Sequence, residues 1–483
     1  MTDIEPRALA RSIQWSAIGA VAVRIVGGGR SLVLARFAGP ENLGILAAVV
    51  AFSGAAALIS DSGLRSYLIH LGPEAHRERS ATFRVALATG VVAAVALALS
   101  APALSRLYHD ERVIPVAFAM AFTVIAPALV AVPSAMMRLD FRFRDLGLAQ
   151  LGGEIVATGV GISVALSGHG LAALVAASIS AQVVGAGLLL LFYQRGRSSR
   201  DEAAISEGPS RGWRQAATYG ATVSAGGLLW VLALQGDNVA IGHLLGPRAL
   251  GLYAFAFSYG TMPGALVAAV VGDVAAPAMA LAAKHRLTLY RDLAAVSAIL
   301  LAPITATAFV FAAPAVRVVL GEEWIRAIRP LQVMLLLGFV RAVFPTSSLL
   351  RALGRVRVEP AIGLVGGPLT VAAAVLLARH GLAAVAIGVT VVAVAGELAA
   401  AFIVSDAEPA SRRRVLLAPV FPALVSAGIA AVIFVTVRHF HIADAAQLVV
   451  AAPLALGLSL GAVLTPERNR ALARTHIVGS QRG

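Results

Sequence analysis

The chain has 483 residues, of which 59% are hydrophobic and only 13% are charged. A soluble protein normally carries about a quarter charged residues and fewer than half apolar ones. The apolar residues here stand in long blocks that a water-exposed surface could not accept, and the mean hydropathy is +0.84. The composition therefore predicts an all-α polytopic membrane protein and excludes ordinary soluble enzymes, secreted disulfide proteins and disordered chains.

The net charge is +14, from 39 Lys and Arg against 25 Asp and Glu. A basic excess can indicate nucleic-acid binding, but these arginines are spread over short loops rather than gathered in one basic domain. We therefore expect no nucleic-acid partner. The chain contains no cysteine, which excludes disulfides, thiolate metal sites and cysteine nucleophiles.

About fourteen segments are long and apolar enough to span a bilayer, which takes about 20 residues. In chain order they are 12–35, 44–69, 83–105, 113–137, 146–167, 171–193, 215–241, 249–279, 293–316, 327–350, 360–378, 382–404, 415–437 and 445–464. The longest loop, 194–214, is too short to fold as a separate domain.

The distribution of Lys and Arg predicts the orientation. With the N-terminus inside, 26 of these residues lie in inward-facing segments, nine lie in outward loops and four lie within spans. An excess of positive charge on the cytoplasmic side is typical of membrane proteins, so we expect a multi-pass protein of the cell membrane with both termini cytoplasmic. The first apolar run is interrupted by Arg24 and Arg30, which favours a retained helix over a cleaved signal peptide.

Short sequences recur in the same order at offsets of 207 to 213 residues and indicate a duplication. The recurring pairs are Gly39-Pro40-Glu41-Asn42-Leu43-Gly44 with Gly246-Pro247-Arg248-Ala249-Leu250-Gly251, the arginines 138, 142 and 144 with 351, 355 and 357, and His169–Ala173 with His380–Ala384. Each repeat holds six spans, an even number, so both copies have the same orientation and are expected to form two parallel bundles. The predicted divisions are an N-terminal lobe at 1–193, a cytoplasmic linker at 194–214, a C-terminal lobe at 215–405, and two extra helices with a cytoplasmic tail at 406–483.

Four stretches resemble the polysaccharide-transporter (Wzx-like flippase) branch of the multidrug/oligosaccharidyl-lipid/polysaccharide superfamily. They are Leu34–Gly44, Ser60–Arg65, Gly236–Tyr253 and Leu320–Trp324. The resemblance extends from about residue 7 to 405. It implies a MATE-like fold in which two six-helix lobes rock between inward and outward states.

The resemblance also implies that the protein moves an isoprenoid-diphosphate-linked oligosaccharide to the outer leaflet for polysaccharide biosynthesis. Membrane lipids and, as partners, a glycan polymerase and glycosyltransferases would accompany that role. A drug or small-molecule exporter of the same superfamily is the alternative that shares the fold. A membrane glycan polymerase or glycosyltransferase fits less well, because the outer loops hold few acidic or histidine side chains, and a scaffold would leave the intramembrane charges unexplained.

Three arginines within predicted spans are candidate diphosphate ligands, Arg24, Arg30 and Arg341. A charge at bilayer depth is costly and usually faces a cavity or a partner, and guanidinium forks match phosphate oxygens. The alternative is that these arginines pair with acids and hold helices together. Arg24 and Arg30 lie about 120° apart on a helix and flank Gly27–Gly29, a run expected to favour a break or bend.

Five further charged residues are candidates for ion coupling or gating. They are Asp61, Arg65, Glu154, Asp237 and Glu397. Asp61 and Arg65 are four apart, as in a helical ion pair. Arg30 and Asp237 occupy equivalent repeat positions, where a salt bridge between them and two independent cavity groups are both open. Glu154 and Glu397 could carry a coupling proton, or form interhelical hydrogen bonds.

No catalytic, metal or cofactor motif stands out in the chain. A Walker A loop needs Lys followed by Ser or Thr, and the only lysine, Lys284, precedes His285. We therefore expect no enzyme activity, no cofactor and no bound metal. The driving force must come from a gradient of protons or sodium, from substrate concentration, or from another subunit.

Overall fold

The computed structural model describes residues 6–61, 63–196, 213–281, 286–344, 346–355, 357–404, 417 and 419–464. Within these ranges every regular element is helical, which confirms the predicted all-α membrane class. Most of the predicted linker at 194–214 and the tail after residue 464 lie outside the described residues.

The helices are α1 (Pro6–Asp61), α2 (Leu64–Leu71), α3 (Ala75–Tyr108), α4 (Val113–Leu139), α5 (Phe143–Leu166), α6 (Gly170–Arg195), α7 (Trp213–Leu281), α8 (Arg286–Val310), α9 (Ala312–Val319), α10 (Ile328–Val343), α11 (Thr346–Ala352), α12 (Val358–Leu377), α13 (Leu382–Val404), α14 (Val420–His439) and α15 (Ala452–Leu464). Short 3₁₀ turns cover Gly72–Glu74, Glu322–Ala327 and Ala378–His380, and a π-helical turn at Gln447–Ala451 leads into α15.

Twelve helices of the described chain are long and apolar enough to cross a membrane, so the count of fourteen is not confirmed. Two of the twelve contain a non-helical glycine, Gly39 in α1 and Gly246 in α7, with φ of 76° and 83°. The sequence placed a boundary between two spans at each of these points. At each point the structure likewise has two helices, which meet directly at the glycine because its positive φ turns the chain there without a loop.

The two copies of the glycine–proline sequence at these bends pack against each other. A Cβ atom on Gly44 would overlap the carbonyl oxygen of Pro247, and a Cβ atom on Gly251 would overlap that of Pro40. The two contacts exchange under the 207-residue offset, as in an isologous contact between related halves. Glycine at both positions is therefore needed for the backbones to approach this closely.

Further backbone turns recur at the offsets of the duplication. His109 and Gly321 follow the third helix of each repeat with φ of 54° and 95°. Phe141 and Gly354 precede the fifth helix of each repeat with φ of 55° and 71°. A positive φ is uncommon for a residue other than glycine, so its recurrence at matched positions supports the duplication.

One side-chain interaction recurs as well. Arg142 donates from Nη2 to the backbone oxygen of Phe192 at 2.7 Å, near the end of α6. Its counterpart Arg355 donates from Nη1 to the backbone oxygen of Ile403 at 3.0 Å, near the end of α13. Both arginines donate to a carbonyl in the last turn of a helix, and the carbonyl of Phe192 also accepts from the backbone nitrogen of Gly196 at 3.2 Å.

By packing, the chain divides into two compact units, Met1–Gly251 and Leu252–Gly483. The boundary falls inside α7, just after the bend at Gly246. The lobes that the sequence predicts, 1–193 and 215–405, remain a prediction.

Within the first unit, α5 lies between α1 and α6, and small residues allow close approach. A Cβ on Gly19 would lie 3.3 Å from Cα of Gly147, and a Cβ on Gly161 would lie 2.8 Å from the side chain of Leu34. The contact positions advance together along both helices, so α1 and α5 run in the same direction. Close approach through glycine is the usual way that helices associate in a membrane.

Within the second unit, α14 and α15 pack on α8 through a small apolar core. Phe311 stands edge-on to Phe434 at 5.6 Å between ring centroids, beside the fully buried Ala430 and Ala455. These last two helices have no counterpart in the first repeat. They are therefore an addition to the duplicated architecture, as the sequence predicts.

Candidate functional site

The best-defined intramembrane charge pair joins Arg30 of α1 to Glu154 of α5. Nε of Arg30 donates to Oε2 of Glu154 at 3.1 Å, and the two side chains are 13% and 19% exposed. Arg30 therefore pairs with an acid of its own repeat rather than with Asp237 of the other repeat. Such a sheltered pair interacts more strongly than an exposed pair, because less water screens it.

Gly27 creates the space that this carboxylate occupies. A Cβ atom at Gly27 would lie 3.0 Å from Oε2 of Glu154 and 3.2 Å from its Cδ. The run Gly27–Gly29 does not break the helix, since the non-helical φ/ψ within α1 is at Gly39. The break that the sequence allowed at Gly27–Gly29 is therefore absent, and α1 turns at Gly39 instead. Packing against α5 maintains the helix despite the ~1 kcal/mol that each glycine costs.

Arg24 lies about a turn and a half before Arg30 and has a different environment. Its side chain is exposed and takes part in a polar interaction, whereas that of Arg30 is largely covered. The two arginines thus do not share one environment, as their predicted separation around the helix implies.

Asp237 is 3% exposed, the most deeply buried of the candidate acids. Its Oδ1 accepts a hydrogen bond from the backbone nitrogen of Asn238 at 2.9 Å, and the Asn238 amide donates to Gln235. Asp237 also has a further interaction. Burial of a carboxylate without support would be prohibitive, so these polar neighbours explain how it is accommodated.

Arg341 lies in the last turn of α10, immediately before the helix is interrupted. α10 ends at Val343, Phe344 is extended, and α11 begins at Thr346. The Arg341 side chain is half-buried and makes no hydrogen bond or ion pair with any residue that the structure describes. A cation in this position interacts favourably with the carbonyls of the helix C-terminus, and its donors remain available.

A buried hydroxyl pair lies at the same interruption. Tyr290 of α8 and Thr346 are hydrogen-bonded through their side-chain oxygens at 3.0 Å. Glu397 of α13 is half-buried and has an interaction of its own. The second unit therefore brings polar groups from α8, α11 and α13 into a largely apolar core.

Asp61 and Arg65 do not lie on one continuous helix. α1 ends at Asp61, Gly63 has a left-handed φ of 60°, and α2 begins at Leu64. The geometry of a helical pair four residues apart is therefore absent, because the chain turns between the two residues. The side chain of Asp61 lies outside the described residues.

A charged cluster that the sequence analysis missed lies around the turn between α3 and α4. Arg112 forms ion pairs with Asp110, at 2.8 Å, and with Glu41 of the first glycine–proline sequence. Burial alone would raise the pKa of Asp110, but the hydrogen bonds and charge of Arg112 together lower it. The same hydrogen bonds, to Asp110 and then to Glu41, raise the pKa of Arg112.

Two histidines extend this cluster to the second bend. The rings of His109 and His243 stack with centroids 5.3 Å apart, and Nδ1 of His243 lies 2.7 Å from the backbone oxygen of Leu107. Glu41 and His243 lie beside the two bends, so the α3–α4 turn is attached to both. The run His109-Asp110-Glu111-Arg112 was the only sequence signal for this contact. No group of three or more metal-ligating side chains occurs in the described part of the chain.

Known proteins resemble this chain in sequence and in fold. Residues 33–329 match the family described as "Polysaccharide biosynthesis protein". The chain is 24% identical over 308 residues to the teichuronic acid biosynthesis protein TuaB of Bacillus subtilis (strain 168), a match that covers 62% of each chain. It is also 24% identical over 360 residues to the lipopolysaccharide biosynthesis protein WzxC of Escherichia coli (strain K12), covering 72% of this chain and 70% of WzxC. The match to TuaB thus spans less than two thirds of that protein.

Solved structures share the fold at low sequence identity. The lipid II flippase MurJ in an inward closed conformation matches with a TM-score of 0.72 and 12% identity, over 96% of this chain and 100% of MurJ. An inward-facing multidrug resistance MATE family transporter of the MOP superfamily matches with a TM-score of 0.59 and 15% identity, over 83% of this chain and 98% of that one. The fold is therefore that of the MOP superfamily. Because the family match covers well over half of its length, the chain belongs to the polysaccharide biosynthesis protein family.

Proposed function

We propose that the protein is a flippase that moves an isoprenoid-diphosphate-linked oligosaccharide from the cytoplasmic to the outer leaflet by alternating access. The observation that carries the proposal is a set of arginine donors retained inside a MOP fold. Arg341 and the Nη atoms of Arg30 donate to no described residue, although both side chains lie within apolar helices. A diphosphate needs such fixed cations, since its charges cannot cross hydrocarbon unaided.

Membership of a polysaccharide biosynthesis family favours this substrate over a drug. The named relatives TuaB and WzxC are a teichuronic acid and a lipopolysaccharide biosynthesis protein, whereas the MATE match is one of fold. Membrane lipids, a glycan polymerase and glycosyltransferases are the partners that this role requires. The protein would act in the cell membrane as a non-enzymatic carrier, with both termini cytoplasmic.

Arg24, Arg30 and Arg341 are the proposed phosphate ligands. The groups proposed for ion coupling or gating are Asp61, Arg65, Glu154, Asp237 and Glu397. The buried Asp237, with its polar neighbours, and Glu397 are the better supported candidates for a proton or sodium, because both lie within helices of the membrane domain.

The test is accumulation of lipid-linked glycan in a strain that depends on this gene. Arg24→Ala combined with Arg341→Ala should abolish surface glycan and leave the precursor on the inner leaflet. The two Arg→Lys changes should retain partial transport, because lysine keeps the charge and loses the planar fork. Arg317→Ala is the matched control. Arg317 lies in the last turn of α9 and pairs with Asp444, in the short helical turn Asp444–Ala446, at 3.6 Å. Normal surface glycan in the double Ala variant would exclude both arginines from the transport path.

A further inference from the structure

We infer that Glu154 is a positioning residue, which holds Arg30 by Nε and so presents the two Nη atoms to the phosphate oxygens of the substrate. The inference rests on the proposed function and adds a role for Glu154 other than ion coupling. It concerns how the arginine is oriented, and it makes no claim about the driving force.

The first evidence is the way in which the guanidinium is used. Arg30 gives only its Nε–H to Glu154, at 3.1 Å, and its Nη atoms donate to no residue that the structure describes. Neither Nη atom is among the buried polar atoms that lack a partner, so neither is fully buried in the described chain. The end of the guanidinium that best matches two phosphate oxygens is therefore unoccupied.

Two other arginine–carboxylate pairs of the described chain are made differently. Arg142 uses both Nε and Nη2 on Asp145, and Arg291 uses both on Asp292. These are the two-donor contacts expected where an arginine simply neutralises an acid. The contact of Arg30 with Glu154 through one donor leaves its fork free.

The second evidence is that the carboxylate is fixed in position. Oε2 of Glu154 fits against Gly27, where a Cβ atom would come within 3.0 Å of it. Close packing of α1 on α5, at Gly19 and Gly147, sets the distance between the two helices. A carboxylate held in this way restricts the rotamers of Arg30, and less entropy is then lost when a ligand binds.

A positioning role for Glu154 and a competing role for its negative charge predict opposite effects on phosphate binding. If Glu154 orients Arg30, removal of its oxygen atoms weakens phosphate binding, whereas Gln, which keeps an acceptor for Nε–H, largely preserves it. If Glu154 instead competes with phosphate for Arg30, both Ala and Gln tighten binding. The two roles therefore differ in the sign of the effect.

The experiment measures the affinity of the purified full-length protein for a sugar-free polyprenyl diphosphate in detergent. Glu154→Ala should weaken binding about tenfold, as expected for coupled neighbours, and Glu154→Gln should stay within about threefold of the wild type. In an Arg30→Lys background, Glu154→Ala should have no further effect, because lysine has no fork to orient. Gly27→Ala, which displaces the carboxylate, should weaken binding in the same direction as Glu154→Ala.

Asp145→Ala is the matched control, since it also removes an arginine-bound carboxylate from α5, near the end of that helix. It should leave the affinity unchanged, and melting curves should show that each variant is folded. Unchanged or tighter binding by Glu154→Ala, with Arg30→Ala still weakened, would overturn the positioning role alone. Wild-type protein that does not bind polyprenyl diphosphate would overturn the proposed function, and the positioning role with it.

Discussion

The contact between the two bends gives a prediction whose size follows from the structure. In Gly44→Ala, the new methyl group overlaps the backbone carbonyl of Pro247, which cannot rotate away as a side chain could. Overpacking of this kind costs about 1–3 kcal/mol. Replacing glycine in a helix returns up to about 1 kcal/mol. The net loss of unfolding free energy is therefore about 1–2 kcal/mol for Gly44→Ala, and Gly251→Ala should lose about as much at Pro40.

Gly54→Ala is the matched control on the same helix. A Cβ atom at Gly54 meets nothing within 4 Å, so this variant keeps the gain in helix propensity without the overlap. Thermal unfolding in detergent should rank Gly54→Ala above the wild type and Gly44→Ala below it. The double variant Gly44→Ala with Gly251→Ala should cost less than the sum of the two, because the first methyl group already separates the shared contact. Equal stability of Gly44→Ala and Gly54→Ala would refute the close approach.

Three other predictions test the remaining features. Arg142→Ala should lower the unfolding free energy by about 1–2 kcal/mol, because it removes a charged hydrogen bond. Arg355→Ala should lower it by less, because Arg355 is exposed. Thermal unfolding of the two variants measures the difference. The lowered pKa of Asp110 means that its ion pair stabilises the protein above the ordinary carboxyl value of 3.8 and is lost as pH falls through the lower folded value. The melting difference between wild type and Arg112→Gln should accordingly shrink below that pH, and a constant difference would contradict the assignment. His109→Cys with His243→Cys should cross-link with a short thiol reagent, since the rings lie 5.3 Å apart in a chain without native cysteine; neither single variant should do so.

The sequence predicts well the features that depend on local composition. Long apolar segments predict the helices, and the repeated glycine–proline sequence marks the two points at which α1 and α7 bend. The sequence does not show that a single glycine with positive φ, rather than a loop, separates the two helices at each point. That outcome depends on the packing of one bend against the other, between residues about 207 positions apart.

The features that the sequence does not predict depend on contacts between distant residues. Arg30 and Glu154 are 124 positions apart, and no local pattern joins them. Repeat equivalence suggested Asp237 as a partner of Arg30, but equivalent positions of two copies need not meet. The helical spacing assumed for Asp61 and Arg65 is wrong for a different reason, since Gly63, with φ of 60°, interrupts the helix between them.

The duplicated architecture is retained in the backbone and lost in the charges. The bends at Gly39 and Gly246 and the arginine caps at 142 and 355 recur with their geometry. The intramembrane charges do not recur in kind: the counterpart of Arg30 has the opposite charge, Asp237, the counterpart of Arg24 is Val231, and that of Glu154 falls in the charge-free stretch 365–367. Backbone turns are constrained by the fold that both copies share, whereas a buried charge is retained only where it has a partner or a ligand. Under the proposed function, the substrate has a diphosphate at one end and a glycan at the other. Such an asymmetric substrate does not require the same charges in both repeats, which agrees with the difference in intramembrane charge between them.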